Sequence, residues 1–260
     1  MTIYDLEKIK TWFLAYAGQC MQCGPDCREQ LEPRLEHSLS VAVECRLLAH
    51  ALGWSVDRAC TVEAIGMLHD AGRFSQYADF RTFVDSDSFD HCIHGYDIVK
   101  KSGILGSLAT VEERIILEGI RHHNLKGIQS CSLTDSLPYI HLVHDADRID
   151  RFRMTLALIK ESTRDRNLSV GSDGPVSEHI LTTIAVNKSV SRKEIASTLD
   201  FYLFRLASVF TIHYREAYRR LLESGMFEDI VARLPDDGSI REAVEGMRAY
   251  LTKRASEDKE

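Results

Sequence analysis

The chain has 260 residues, 44% apolar and 27% charged, which is ordinary for a globular protein and enough to bury one domain, or one domain with a helical extension. Its 39 acidic against 32 basic residues give a formal charge of -7, so the surface lacks the basic footprint of a duplex DNA or RNA binder. No uncharged apolar run approaches the roughly 20 residues that span a bilayer, and residues 1–5 lack the basic-then-apolar pattern of a signal, so no membrane partner and a cytoplasmic location are expected.

The apolar period is helical almost throughout. Leu6, Ile9, Trp12, Phe13 and Tyr16 predict a first amphipathic helix; Leu31, Leu35, Leu39, Val43 and Leu47 predict a second that contains His37 and ends near Gly53. Between them Cys20, Cys23 and Cys27 flank a Gly24-Pro25 turn. Seven cysteines, an odd number, read as reduced thiols rather than a disulfide framework. The Cys-x2-Cys-x3-Cys array has a spacing that suits zinc or an iron-sulfur cluster but no fourth ligand at zinc-finger distance, so free thiols on the turn are the competing reading. Cys45, Cys60 and Cys92 read as small core residues.

A third helix is predicted from about Asp57 through Val62, Ile65 and Leu68 to His69-Asp70, with Gly72 as its stop. Neighbours on a regular helix point about 100° apart, so His69 and Asp70 reach one cation only where the helix frays or bends. An Asp at a helix C-terminus also opposes the dipole, a local cost that a cation offsets. Residues 75–90 read as a loop. Thr110 and Glu113 have capping-box spacing and open a helix carrying Ile116, Leu117 and Ile120 toward His122-His123. Another helix, from about Leu137 past Leu142 and Ile149, carries Asp147. After a polar break at residues 167–175 the pattern resumes through Leu181, Phe201, Phe204, Phe210 and Tyr214. With no alternating strand and no internal repeat, the expected fold is all-α: a helical core over residues 1–165 and a C-terminal helical extension over 166–260, packed on the core as one structural unit.

The ordered set of His37, His69-Asp70, His91, His123 and Asp147 resembles the HD-domain superfamily of metal-dependent phosphohydrolases across residues 36–151. The run from His69 to Tyr77, followed by Phe83, Asp85, Ser88, Asp90 and His91, is similar to a little-characterised bacterial subfamily, whose helical tail the segment from Asp200 to Tyr214 also resembles. In such proteins the ligand His commonly stands four residues before a Gly that opens a helix, which favours His91 over His94, with Gly95 as that Gly. His123 fits the His at a helix end, and His122 is a second ligand in some relatives or else a contact to substrate. Ala146-Asp147-Arg148-Ile149 fits the form that carries the last carboxylate; Asp145 is the alternative, and Asp145 and Asp150 otherwise orient imidazoles or pair with Arg148.

What the resemblance implies is one or two divalent transition-metal ions. His37, His69, Asp70 and Asp147 suffice for one; His91 and His123 add a second, with Asp70 bridging. Imidazoles and carboxylates suit manganese, iron, cobalt, nickel or zinc. The implied reaction is hydrolysis of a phosphomonoester or phosphodiester bond of a small nucleotide or related phosphoester by hydroxide drawn from metal-bound water. Asp70 and Arg73 are the expected catalytic residues, Arg73 neutralising charge on phosphate unless it serves only a surface salt bridge. The Gly-Tyr-Pro element of the cyclic-dinucleotide branch is missing, since residues 124–128 read Asn-Leu-Lys-Gly-Ile. Two other functions share the ligand types: a non-catalytic nucleotide-sensing module with a structural metal, and a di-iron oxygenase. The aromatic stripe of the tail reads as core or homodimer packing rather than a base-stacking platform.

Overall fold

Thr2 starts the first helix by a reciprocal cap: its Oγ1 accepts from the Asp5 N–H while the Asp5 carboxylate accepts from the Thr2 N–H. The computed structural model describes residues 1–124, 133–160 in full, the helical backbone of 161–164, and 174–257. Helices carry the fold, with no strand among the described residues. Two compact units divide at Asp147 and Arg148, a boundary that falls inside a helix rather than in the polar stretch after it.

The first unit contains α1 (Ile3–Met21), α2 (Pro25–Ala51), α3 (Val56–Leu68), α4 (Ala71–Phe80), α5 (His91–Ser102), α6 (Thr110–His122) and the start of α7 (Leu137–Arg164). Its centre is α3, buried on nearly every side from Cys60 to Leu68 because it packs against α1, α2 and α6 at once. Gly119 lets α6 come close: a Cβ there would lie 2.6 Å from the Ile65 side chain. The expected helices around α3 form, and three local expectations need correction. Along α2 the buried stripe is Leu31, Ser38, Val41, Ala42, Cys45 and Leu48, whereas Val43 and Leu47 are exposed. A strict i, i+4 series advances about 40° per step around the helix and leaves the core face within two turns. The Thr110-Glu113 box does not form, since Ala109 is the N-cap and Thr110 is already helical. Gly72 does not end a helix but lies within α4.

The expectation of reduced thiols also fails at one pair, for Cys23 and Cys27 form a disulfide. Pro25 opens α2 at once, which leaves the two Cα atoms 6.0 Å apart, within bridging range. Cys20 stays a half-buried thiol, and none of the metal-ligating groups among the described residues includes it.

The second unit holds the rest of α7, then α8 (Glu178–Ala185), α9 (Thr198–Ala207), α10 (Arg215–Ser224), α11 (Met226–Val231) and α12 (Gly238–Ser256). The apolar face of α12, Ile240, Val244, Met247 and Leu251, packs against α8, α9 and α10. Asp200 closes the capping box of α9 and also accepts from the N–H and Oγ of Ser177, both at 2.8 Å. Of the aromatic stripe, Phe201 and Phe204 lie under the Arg205 guanidinium and Phe210 meets Tyr250 edge-on at 5.0 Å. Most of the polar break, residues 167–173, lies outside the described residues. No described helix is long and apolar enough to cross a membrane.

Candidate metal centre

The chain breaks between α3 and α4 at the His69-Asp70 pair. His69 is the C-cap of α3 in helical conformation, and Asp70 turns out of it at φ -100°, ψ 19° before α4 begins at Ala71. That single kink removes the 100° conflict between neighbouring side chains, and both become buried. Asp70 thereby stands at the start of a second helix, where the dipole favours a carboxylate, so the electrostatic cost expected of a C-terminal Asp is relieved by local geometry. Gly72 has a packing role. A Cβ on it would lie 2.1 Å from the His91 carbonyl oxygen and 2.9 Å from the Gly95 nitrogen, so only glycine lets α4 and α5 meet this closely.

Two imidazoles are fixed in the same way. The Nδ1–H of His69 donates to the Gly66 carbonyl at 2.7 Å and that of His123, the C-cap of α6, to the Ile120 carbonyl at 2.8 Å. A ring held at Nδ1 by a carbonyl keeps its Nε2 lone pair for another partner. His91, first residue of α5, is held at Nδ1 by the Asp85 carboxylate at 2.9 Å. These rings form a chain, with centroids 5.2 Å apart from His37 to His69, 4.9 Å from His69 to His123 and 5.4 Å from His123 to His91. Asp147, on α7, meets His37 Nε2 at 3.1 Å.

Asp70 lies between the two ends of this chain and divides its oxygens between them. Oδ2 faces His69 Nε2 at 3.7 Å, and Oδ1 faces His91 Nε2 at 3.5 Å and His123 Nε2 at 3.8 Å. Burial alone would raise the Asp70 carboxyl, but attraction to His69, His91, Arg73 and His123 when these carry charge outweighs burial and holds it well below the carboxylate range; with the imidazoles neutral, Arg73 is the charge that remains. Burial pushes the imidazoles the other way, lowering His69 and His91 and taking His123 down to about 3. Neutral imidazoles beside an ionised carboxylate are the protonation states a divalent cation requires. The donors therefore fit a metal, and two buried atoms, His69 Nε2 and Asp70 Oδ2, lack a hydrogen-bond partner within the described structure.

Arg73 is not a surface residue. Its guanidinium reaches Asp85 at 2.7 Å, the Phe83 carbonyl at 2.6 Å, Gln76 at 2.8 Å and His91 Nε2 at 3.2 Å, with Nε 3.8 Å from Asp70. Buried Gln76 ties the same segment together through Asp85, Ser88 and the Phe89 carbonyl. His94 instead lies against the Phe89 ring at 3.9 Å, and His122 lines a separate hollow of about 430 Å³ with Tyr96, Lys100, Arg121 and other α5 and α6 residues. Asp145 is fully buried with Oδ1 3.6 Å from His144, while Asp150, in the second unit, accepts from Arg153 at 2.6 Å.

Sequence reading passed over two neighbours of the cluster. Arg34 NH1 is 3.7 Å from Asp70 Oδ2 while its guanidinium covers the Phe83 ring at 4.5 Å; its place one turn before His37 was the available signal. Cys92 is buried, as a core residue would be, yet its Sγ lies 3.3 Å from His91 Nε2 and 3.9 Å from His123 Nε2. Burial, then Asp90 and Asp70, push that thiol up. Compared with known families, residues 34–154 match the model of the HD domain. No curated protein and no solved structure matches the chain.

Proposed function

From a chain that belongs, through residues 34–154, to the HD-domain superfamily of metal-dependent hydrolases, we propose a phosphohydrolase that cleaves a phosphomonoester or phosphodiester bond in a small nucleotide or related phosphoester. The observation that carries the reading is the division of the Asp70 oxygens between two histidine groups. His37, His69 and Asp147 would hold one divalent ion, His91 and His123 a second, and Asp70 would be shared. When bound, such ions supply Lewis-acid charge and a water acidic enough to lose its proton near neutral pH.

The protein's own groups do the rest. The carbonyls of Gly66 and Ile120 and the carboxylate of Asp85 fix the ring orientations in advance, so the site needs little reorganisation. Arg73 and Arg34, with side chains 16% and 22% exposed, are the partly open edge of a buried cluster and offer cations to phosphoryl oxygens entering from solvent. Arg73 is held from three sides, so its charge is positioned before substrate arrives. An acidic protein with a small cationic edge suits a small anionic phosphoester better than a polymer.

The test is a screen of nucleoside mono-, di- and triphosphates, dinucleoside polyphosphates and cyclic nucleotides with manganese, cobalt and iron, measuring phosphate and nucleoside release. Hydrolysis by the parent and a loss of more than about a hundredfold in Asp70→Asn, which removes a shared anionic ligand, is the expected result. Protein carrying two ions per chain and hydrolysing none of these would overturn the reading in favour of a sensing module, and turnover that required oxygen would favour an oxygenase.

A further inference from the structure

One side of the cluster contains a donor that an imidazole and carboxylate set does not call for. Cys92 follows His91 in the first turn of α5, and its Sγ points at the same space as the two rings. Three donor atoms, His91 Nε2, His123 Nε2 and Cys92 Sγ, lie within 4.8 Å of one another, and Asp70 Oδ1 is 3.5 and 3.8 Å from the two rings. Ligand bonds of ~2.0–2.3 Å in a tetrahedron place neighbouring donors roughly 3.3–3.7 Å apart. Four of the six edges of such a tetrahedron, 3.5 and 3.8 Å from Asp70 to the rings and 3.3 and 3.9 Å from sulfur to the rings, fall within a few tenths of an ångström of that figure.

We infer that Cys92 is a thiolate ligand of the ion held by His91, His123 and Asp70, which makes this position an N2OS site selective for zinc or cobalt over manganese or magnesium. Soft sulfur favours those metals, and the carboxylate and imidazoles leave the choice open without it. Coordination releases the thiol proton to solvent and forms the metal–sulfur bond, with no change in oxidation state. Two neighbours adjust. Asn124 Nδ2, which donates to Sγ at 3.1 Å, remains as a hydrogen bond to the bound thiolate, and the Arg73 guanidinium, 3.2 Å from His91 Nε2, gives up that contact and keeps Asp85. The inference rests on the two-ion reading above, and the experiment separates their failures.

Metal-free full-length protein is loaded with cobalt(II), and bound metal and the absorption spectrum are recorded together. Two cobalt ions per chain with a near-ultraviolet sulfur-to-cobalt charge-transfer band, absent in Cys92→Ser at equal cobalt content, is the expected result. Zinc affinity at this position should fall at least tenfold in Cys92→Ser while manganese affinity stays within about twofold. Two cobalt ions with no such band would overturn the Cys92 assignment and leave the two-ion site standing. A band that persists in Cys92→Ser would do the same, assigning the sulfur to another cysteine. A single cobalt ion at saturation would sink both readings.

Discussion

Substituting Gly72 tests how the site is assembled without touching a ligand. An alanine Cβ there would meet the His91 carbonyl oxygen at 2.1 Å, where an ordinary contact needs 3.4 Å or more, and backbone on both sides leaves no rotamer to absorb it. Helices α4 and α5 must therefore part by roughly 1 Å, a gap that forfeits a quarter to a half of the dispersion attraction across the seam. Overpacking of this kind costs about 1–3 kcal/mol, and the better helix propensity of alanine returns at most about 1 kcal/mol. Gly72→Ala should thus destabilise by roughly 1–2 kcal/mol in urea titration. Because the same movement draws Asp70 away from His91, now 3.5 Å apart, it should also weaken the second ion before the first in a calorimetric metal titration. Gly246→Ala is the control: it lies inside α12 with nothing within 4 Å of the new methyl, and it should stabilise by about 0.5–1 kcal/mol. If Gly72→Ala matched the parent in both urea midpoint and metal stoichiometry, the close approach of α4 and α5 would not be what sets the ligand distances.

Three further outcomes follow from particular contacts. His91→Ala should lower bound metal from about two ions toward about one, whereas His94→Ala, whose ring rests on Phe89, should leave elemental analysis unchanged; the reverse ranking would move the ligand to His94. Arg73→Gln should keep its metal, because Gln76 still holds Asp85 against His91, and should lose about tenfold to a thousandfold in turnover; a parental rate would place the phosphate contact on Arg34 instead. Asp200 is a carboxylate whose burial would raise it but whose hydrogen bonds from Ser177, Ala196 and Ser197 hold it low. A depressed carboxyl contributes stability above its unfolded value of about 4, lost as pH falls through the folded value. Asp200→Asn should therefore cost about 1–2 kcal/mol near neutrality, and the gap from the parent should close in acid; a gap that stayed constant to pH 3 would contradict the hydrogen-bonded carboxylate.

The sequence by itself determined the helical class and the residue types of a candidate divalent metal site, because 3.6-residue periodicity and the order of His and Asp residues are local properties of the chain. The apolar series found α1, α3 and α6 through Phe13, Ile65 and Ile116, all of them fully buried. It misplaced the buried face of α2, where an i, i+4 count drifts off the core, and it left α4 as loop, since a ten-residue helix with Gly72 in its first turn and Ser75 just after it has weak intrinsic propensity and is sustained by packing on α5. Other matters were beyond any one-dimensional reading. That the Asp70 oxygens face two histidine groups depends on a kink between α3 and α4. That Arg73 turns inward depends on Asp85 arriving beside it from a separate segment. That Cys92 borders His91 and His123 rather than filling core depends on where α5 and α6 end. Donor types are fixed by the chain, but donor distances are fixed by helix packing, and coordination chemistry is decided by distance.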